Sequence, residues 1–206
     1  MLRARPERRC QTVLENKKYN IIYADPPWKY DRNKVQGAAE KHYSTMTVDD
    51  LCKMPVADIC DKDAILFMWA TFPQLKEALQ VIEAWGFKYR TIGFVWLKQN
   101  KSGVGWFYGL GFWTRGNAEI CLLATKGHPK RKSTRVHQFI ISPLRGHSQK
   151  PDEARDKIVE LVGDLPRVEL FARQKTEGWD SWGNEVDCDI HLDGYAPTLG
   201  GDIDVG

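Results

Sequence analysis

The residues best arranged to do chemistry are Asp25, Pro26, Pro27 and Trp28, which directly follow the apolar run Ile21-Ile22-Tyr23-Ala24. That run reads as a buried strand. Each proline fixes its own φ and pushes the residue before it out of the helical region, so the strand must end in a rigid extended turn. An acid at the C-terminal end of a buried strand stands where open α/β sheets place their ligands. An acid, a fixed carbonyl and a flat aromatic face together suit a planar base with an exocyclic amine. Asp25 would accept one N–H and the Pro26 carbonyl the other, holding the nitrogen part-way to tetrahedral with its lone pair aimed at an electrophile. Trp28 would stack on the base once it has left its helix, as enzymes that act on bases require. This is catalysis by positioning, and Asp25 need not be a strong base. The bland alternative is a strand-ending turn with a capping Asp. The four residues together, directly after the strand, favour the chemical reading.

The elements that must hold this turn can be read along the chain. Thr47 caps a short helix, with Asp50 three residues on. Asp63 to Ala70 is a second buried strand. Phe72-Pro73 opens a helix through Trp85, with Leu75, Leu79, Ile82 and Trp85 on one face and Gly86 as its stop. Phe87 to Lys98 is a strand, completing a parallel βαβ unit. Strands follow at Asn117–Thr125, Val136–Ile141 and Arg167–Arg173, with a helix from Pro151 to Val162 between the last two. The expected fold class is α/β: a three-layer α/β/α sandwich, mostly parallel, with one antiparallel edge strand.

Three connections carry polar or aromatic side chains. Residues 29–44 are too long for a simple turn, and Tyr30, Lys34, His42 and Tyr43 make them either a gate over the site or a plain insert. Residues 99–116 are rich in glycine and aromatics, offering either stacking faces for nucleobases or packing over the sheet edge. Residues 126–135 hold Lys126, Lys130, Arg131, Lys132 and Arg135, read as a phosphate-binding loop leaving the strand set that carries the site.

Composition narrows the class. At 206 residues with 42% hydrophobic content the chain suits one globular domain. Its longest apolar run, Ala64 to Ala70, is too short to span a membrane, and Met1 to Cys10 lacks the apolar stretch of a signal peptide. Five cysteines without a Cys-x-x-Cys pair argue for reduced thiols, a cytoplasmic, intracellular home and no metal. The net charge of +3 is uneven, because residues 187–206 carry five Asp and no Lys or Arg, leaving +8 on the rest. A basic body fits a nucleic-acid partner, although ordinary solvated surfaces carry such excesses too. The expected organisation is a basic arm at 1–18, a core domain at 19–186 and an acidic tail at 187–206.

Asp25-Pro26-Pro27-Trp28 resembles the catalytic motif of the adenine-N6 methyltransferases, the family that includes the eukaryotic messenger-RNA N6-adenosine methyltransferase catalytic subunit. Two further stretches match in order: the Ser-x-Lys-Pro string ending at Lys150-Pro151, and Leu170-Phe171-Ala172-Arg173 with the distal Trp182-Gly183-Asn184-Glu185. The resemblance implies a Rossmann-like methyltransferase fold in the permuted (β-group) order, catalytic turn first and cofactor strand last. It implies S-adenosyl-L-methionine as cofactor, contacted by Asp25, Lys150, Phe171, Arg173, Lys175, Thr176, Asn184 and Glu185. Lys150 would meet the methionine carboxylate, and Asn184 and Glu185 the ribose hydroxyls. Glu119 is implied as an acid contacting the adenine. Tyr30, Lys130, Arg131, Lys132 and Arg145 complete the expected substrate contacts. The chain departs from many methyltransferases in having no Gly-x-Gly turn at the cofactor strand.

The expected reaction is methylation of adenine N6 in DNA, with RNA as the alternative polymer. A non-catalytic nucleic-acid-binding subunit and a small-molecule methylase are the competing classes. A homodimer or a related methyltransferase-like subunit is the expected partner.

Overall fold

The computed structural model describes residues 17–29, 45–111, 113–146 and 149–195. Seven strands, β1 (Tyr19–Ala24), β2 (Cys60–Ala70), β3 (Lys88–Gln99), β4 (Ala118–Lys126), β5 (Phe139–Pro143), β6 (Arg167–Leu170) and β7 (Asp180–Trp182), form one sheet in the order β5-β3-β4-β2-β1-β6-β7. Helices α1 (Val48–Lys53), α2 (Val56–Ile59) and α3 (Leu75–Ala84) precede β3, and α4 (Glu153–Val162) precedes β6.

β1 lies inside the sheet, parallel to β2 and β6 on either side. It is therefore covered on both faces, which is why its sequence is continuously apolar rather than alternating. Ile22 and Ala24 face the core beneath α1 and α3, whereas Ile21 and Tyr23 face the core beneath α4 with Trp69, Ile158 and Trp179. The structure is thus the expected three-layer α/β sandwich. α3 ends at Gly86, whose φ of +79° turns the chain back into β3, and Thr47 Oγ1 accepts the Asp50 N–H at the head of α1.

One expectation is corrected. The antiparallel strand is not at an edge: β4 lies between β2 and β3 and runs against both. β2 and β3 are parallel, as the βαβ reading requires, but β4 separates them. The acidic segment also starts differently from the expectation of a tail. Residues 187–195 pack on the body, with Ile190 and Leu192 buried and Asp189 accepting from the Ser181 N–H and hydroxyl. No helix among the described residues is long and apolar enough to cross a membrane.

Candidate active site

β1 delivers Asp25 to the C-terminal edge of the parallel strands, and the turn after it is tied down on both sides. The Trp28 N–H donates to the Pro26 carbonyl at 2.9 Å, and the Met46 N–H donates to the Pro27 carbonyl at 2.9 Å. The Pro26 carbonyl keeps a second lone pair for another donor. Trp28 differs from its expected role. It is only 6% exposed, sits in the core, and donates its indole N–H to the Trp69 carbonyl at 3.1 Å. A ring packed on both faces cannot also stack on a substrate base, so Trp28 shapes the turn and leaves stacking to other groups.

Asp25 opens a chain of alternating charges. Lys150 Nζ donates to Asp25 Oδ2 at 2.7 Å and lies 3.3 Å from Glu119 Oε2, and Lys98 pairs with the other oxygen of Glu119. Lys150 is buried, and its ammonium also lies 5.8 Å from the centre of the Trp69 ring. Burial pushes the Asp25 carboxyl above the ordinary carboxylate range, and Lys150 only partly offsets this. Burial would also raise Glu119, but two lysines outweigh it and hold that carboxyl below its usual value. Burial pulls Lys150 down, yet its two carboxylate partners keep it above the ordinary lysine value. Lys150 and Glu119 are therefore charged, and Asp25 is the group of the three most ready to take a proton.

The reversal of β4 explains why Glu119 is here. Because β4 runs downwards, its first residues, not its last, stand beside Asp25. The same reversal corrects the placement of the basic loop. Lys126 pairs in register with Ala64 near the start of β2, and the His128 N–H donates to Asp63. The run from Ile120 to Lys126 spans about 20 Å, so Lys130, Arg131 and Lys132 emerge at the opposite end of the sheet from Asp25.

Beside Asp25 lies a cleft of about 270 Å³ whose lining includes Lys150, Glu169, Phe171, Arg173 and Glu185. Arg155 and Gln174 also line a neighbouring groove of about 580 Å³ that holds Lys175 and Thr176, so the two are contiguous. Phe171 takes a φ of +63° directly after β6. The left-handed turn for which a Gly-x-Gly motif would supply glycine is present, held by a phenylalanine whose ring packs edge-on against Trp182 at 5.5 Å. Gly183 is indispensable there, because a Cβ would lie 2.2 Å from the Ala172 carbonyl oxygen. Arg173 Nε stands 3.7 Å from Glu185, Lys175 pairs with Asp189, and Asn184 is half-buried on the turn after β7. Arg145 is engaged elsewhere than on a substrate phosphate: it pairs with Asp152 and donates to the Lys150 carbonyl at 3.0 Å, fixing the backbone that presents Lys150. Tyr30 and the rest of the expected gate, Lys34, His42 and Tyr43, lie outside the described residues.

The structure adds residues that the sequence reading passed over. Arg155 grips Glu169 with two hydrogen bonds of 2.7 Å beneath the cleft. An acid inside Val168-Glu169-Leu170 was the visible signal, since a charge in a buried strand needs a partner. Trp69 joins the turn to the floor: its indole donates to the Tyr23 hydroxyl at 2.7 Å and its carbonyl holds Trp28. Nothing in an apolar strand marks such a tryptophan out.

The MT-A70 family model matches residues 19–185. The chain belongs to the MT-A70 family. It is 34% identical to the Type II methyltransferase M.MunI of a Mycoplasma species, over 84% of this chain and 80% of that protein. It is 30% identical to the zebrafish (Danio rerio) N(6)-adenosine-methyltransferase subunit METTL3 over 85% of this chain, and 29% identical to the human METTL3 catalytic subunit over the same share. The chain spans under a third of the length of either METTL3. This MT-A70 protein is a methyltransferase.

Proposed function

We propose that this MT-A70 methyltransferase transfers the methyl group of S-adenosyl-L-methionine to the N6 amine of adenine in DNA. The observation that carries the reading is a half-buried carboxylate, Asp25, at the mouth of a cleft, next to a carbonyl fixed by two prolines and braced by Lys150. The cleft's own groups fit the cofactor. The Glu185 carboxylate, the Arg173 guanidinium and, in the contiguous groove, the buried Thr176 hydroxyl, which has no hydrogen-bond partner among the described residues, match a molecule bearing an amine, a carboxylate and ribose hydroxyls. Bound there, S-adenosyl-L-methionine supplies a methyl group on a sulfonium, with a neutral thioether as leaving group.

The chain's residues supply position. An adenine amine is a poor nucleophile because its lone pair is delocalised into the ring. Asp25 accepts one N–H, the spare lone pair of the Pro26 carbonyl accepts the other, and the nitrogen lone pair turns out of the ring plane. Once the new N–C bond forms, the nitrogen sheds a proton, and Asp25, raised above the ordinary carboxylate range, is the adjacent group able to receive it. Lys150 steadies the carboxylate without displacing the amine, because it approaches Oδ2 and leaves Oδ1 for the substrate.

The match to M.MunI spans most of both chains, whereas the METTL3 match covers a minor part of that protein, and this supports DNA over RNA. The test is transfer of tritiated methyl to matched single- and double-stranded DNA and RNA, followed by nucleoside digestion. N6-methyladenine from DNA alone is the expected product. Label in RNA alone overturns the polymer, and bound cofactor with no label in any polymer overturns catalysis in favour of a binding subunit.

A further inference from the structure

The loop between β3 and β4 leaves and re-enters the sheet at the Asp25 end, since β3 finishes there and the reversed β4 begins there. Backbone hydrogen bonds tie its described residues together. The Phe107 N–H donates to the Lys98 carbonyl at 3.0 Å, the Asn100 N–H to Gly105 at 3.2 Å, and the Gly109 N–H to Gly116 at 2.7 Å. Yet three of its aromatics face outward: Trp106 is 44% exposed, Tyr108 52% and Trp113 104%. Trp113 also holds a φ of +63°, a conformation rarely adopted by a bulky residue. It is projected by a turn in which a Cβ on Gly111 would lie 2.0 Å from the Thr114 carbonyl oxygen. Between Gln99 and Asn117 the loop carries Lys101 and Arg115 and no acid. Aromatic faces held open beside cations, with no carboxylate among them, suit stacked bases and a phosphate backbone.

We propose that residues 100–111 and 113–117 form a stacking platform on which Trp106, Tyr108 and Trp113 hold the unpaired bases flanking the target adenine. The proposal rests on the polynucleotide substrate inferred above. It also supplies the stacking faces that buried Trp28 cannot.

The test uses the full chain and a short fluorescent oligonucleotide of whichever polymer the wild-type protein methylates, read by anisotropy, with the mass of each variant in solution measured alongside. Trp113→Ala is expected to weaken binding on the order of 5- to 100-fold, Trp113→Phe to restore most of it, and Trp106→Ala/Tyr108→Ala to weaken it comparably. Trp113→Gly is expected to weaken binding without lowering Tm, because glycine suits a positive φ. Cofactor affinity stays unchanged in every variant. The salt slope survives the aromatic substitutions but falls by about one for Arg115→Ala. Unchanged oligonucleotide affinity in the aromatic variants, with wild-type methylation intact, overturns the platform alone. Variants that turn a wild-type dimer into a monomer with undiminished affinity also overturn it and assign the loop to a second copy of the chain. A wild-type protein that neither binds nor methylates any polynucleotide overturns the substrate class, and the platform with it.

Discussion

The two ends of β4 carry the same kind of side chain under opposite physics. At its start, Lys98 and Lys150 are drawn into the sheet edge around Glu119, and Lys150 is buried with a carboxylate on either side. At its finish, Lys130, Arg131 and Lys132 stand exposed on a loop. A lysine taken out of water must be paired with opposite charge and hydrogen-bonded, so its partners fix where it sits. A lysine left in water is screened within about 8–10 Å at ordinary salt and serves only as diffuse attraction. The proposed chemistry accordingly belongs to the first end, and the second offers attraction at most.

Substitutions at the two ends should differ as sharply. The largest effect is expected from Asp25→Ala, which abolishes methyl transfer while cofactor affinity, measured by calorimetry, stays nearly unchanged. Parallel loss of both would make Asp25 a cofactor ligand or a structural residue. Next is Arg155→Met, which strands Glu169 as an unpaired buried charge and costs about 3–5 kcal/mol, seen as a Tm fall of roughly 10 °C. Adding Glu169→Leu should restore most of that loss, and a double variant no more stable than the single would show the pair to be more than mutual compensation.

A finer test lies in pH. The proposed reaction needs the Asp25 carboxylate ionised, so kcat/KM is expected to fall as pH drops through its raised pKa. Lys150 lowers that pKa and Glu119 raises it. Lys150→Met should therefore move the acid limb of the profile to higher pH, and Glu119→Gln should move it to lower pH. Limbs that shift in the same direction would break the charge-chain account. Stability follows its own sign. Glu119, held below its usual range, stabilises the fold at neutral pH, and that contribution is lost as pH falls through its folded pKa. The smallest effect belongs to Lys130→Ala/Arg131→Ala/Lys132→Ala: cofactor affinity and kcat on a short oligonucleotide unchanged, with weaker, less salt-dependent binding only to long polymers. A large loss of kcat in that variant would erase the contrast between the two ends.

How much of this was legible beforehand depends on what a sequence encodes. β1 and its turn were plain, because a strand buried on both faces is apolar throughout and two prolines restrict the backbone by themselves. Phe171 and Arg173, which the resemblance assigns to a cofactor, share a cleft lining with Lys150, Asp25 and Glu185. The direction of β4 was not legible, since apolar periodicity is the same read upwards or downwards, and the misplaced basic loop followed from that. Nor was the burial of Trp28, for the same four residues describe a ring turned inward or outward. α2 and β7, four and three residues long, are too short to show a period.

The central position of β1 bears on how the molecule comes to exist. Its neighbour β6 is made nearly a whole domain later, so Ile22 cannot meet Val168 until most of the chain has left the ribosome. Parallel pairing over such a separation is slow, because the closure entropy of the intervening chain must be overcome before any contact rewards it. Asp25 is synthesised early and enclosed late. A nascent or truncated chain ending before β6 would carry the turn that holds Asp25 but no wall beside it, so the proposed methylating capacity would arise only with the completed domain.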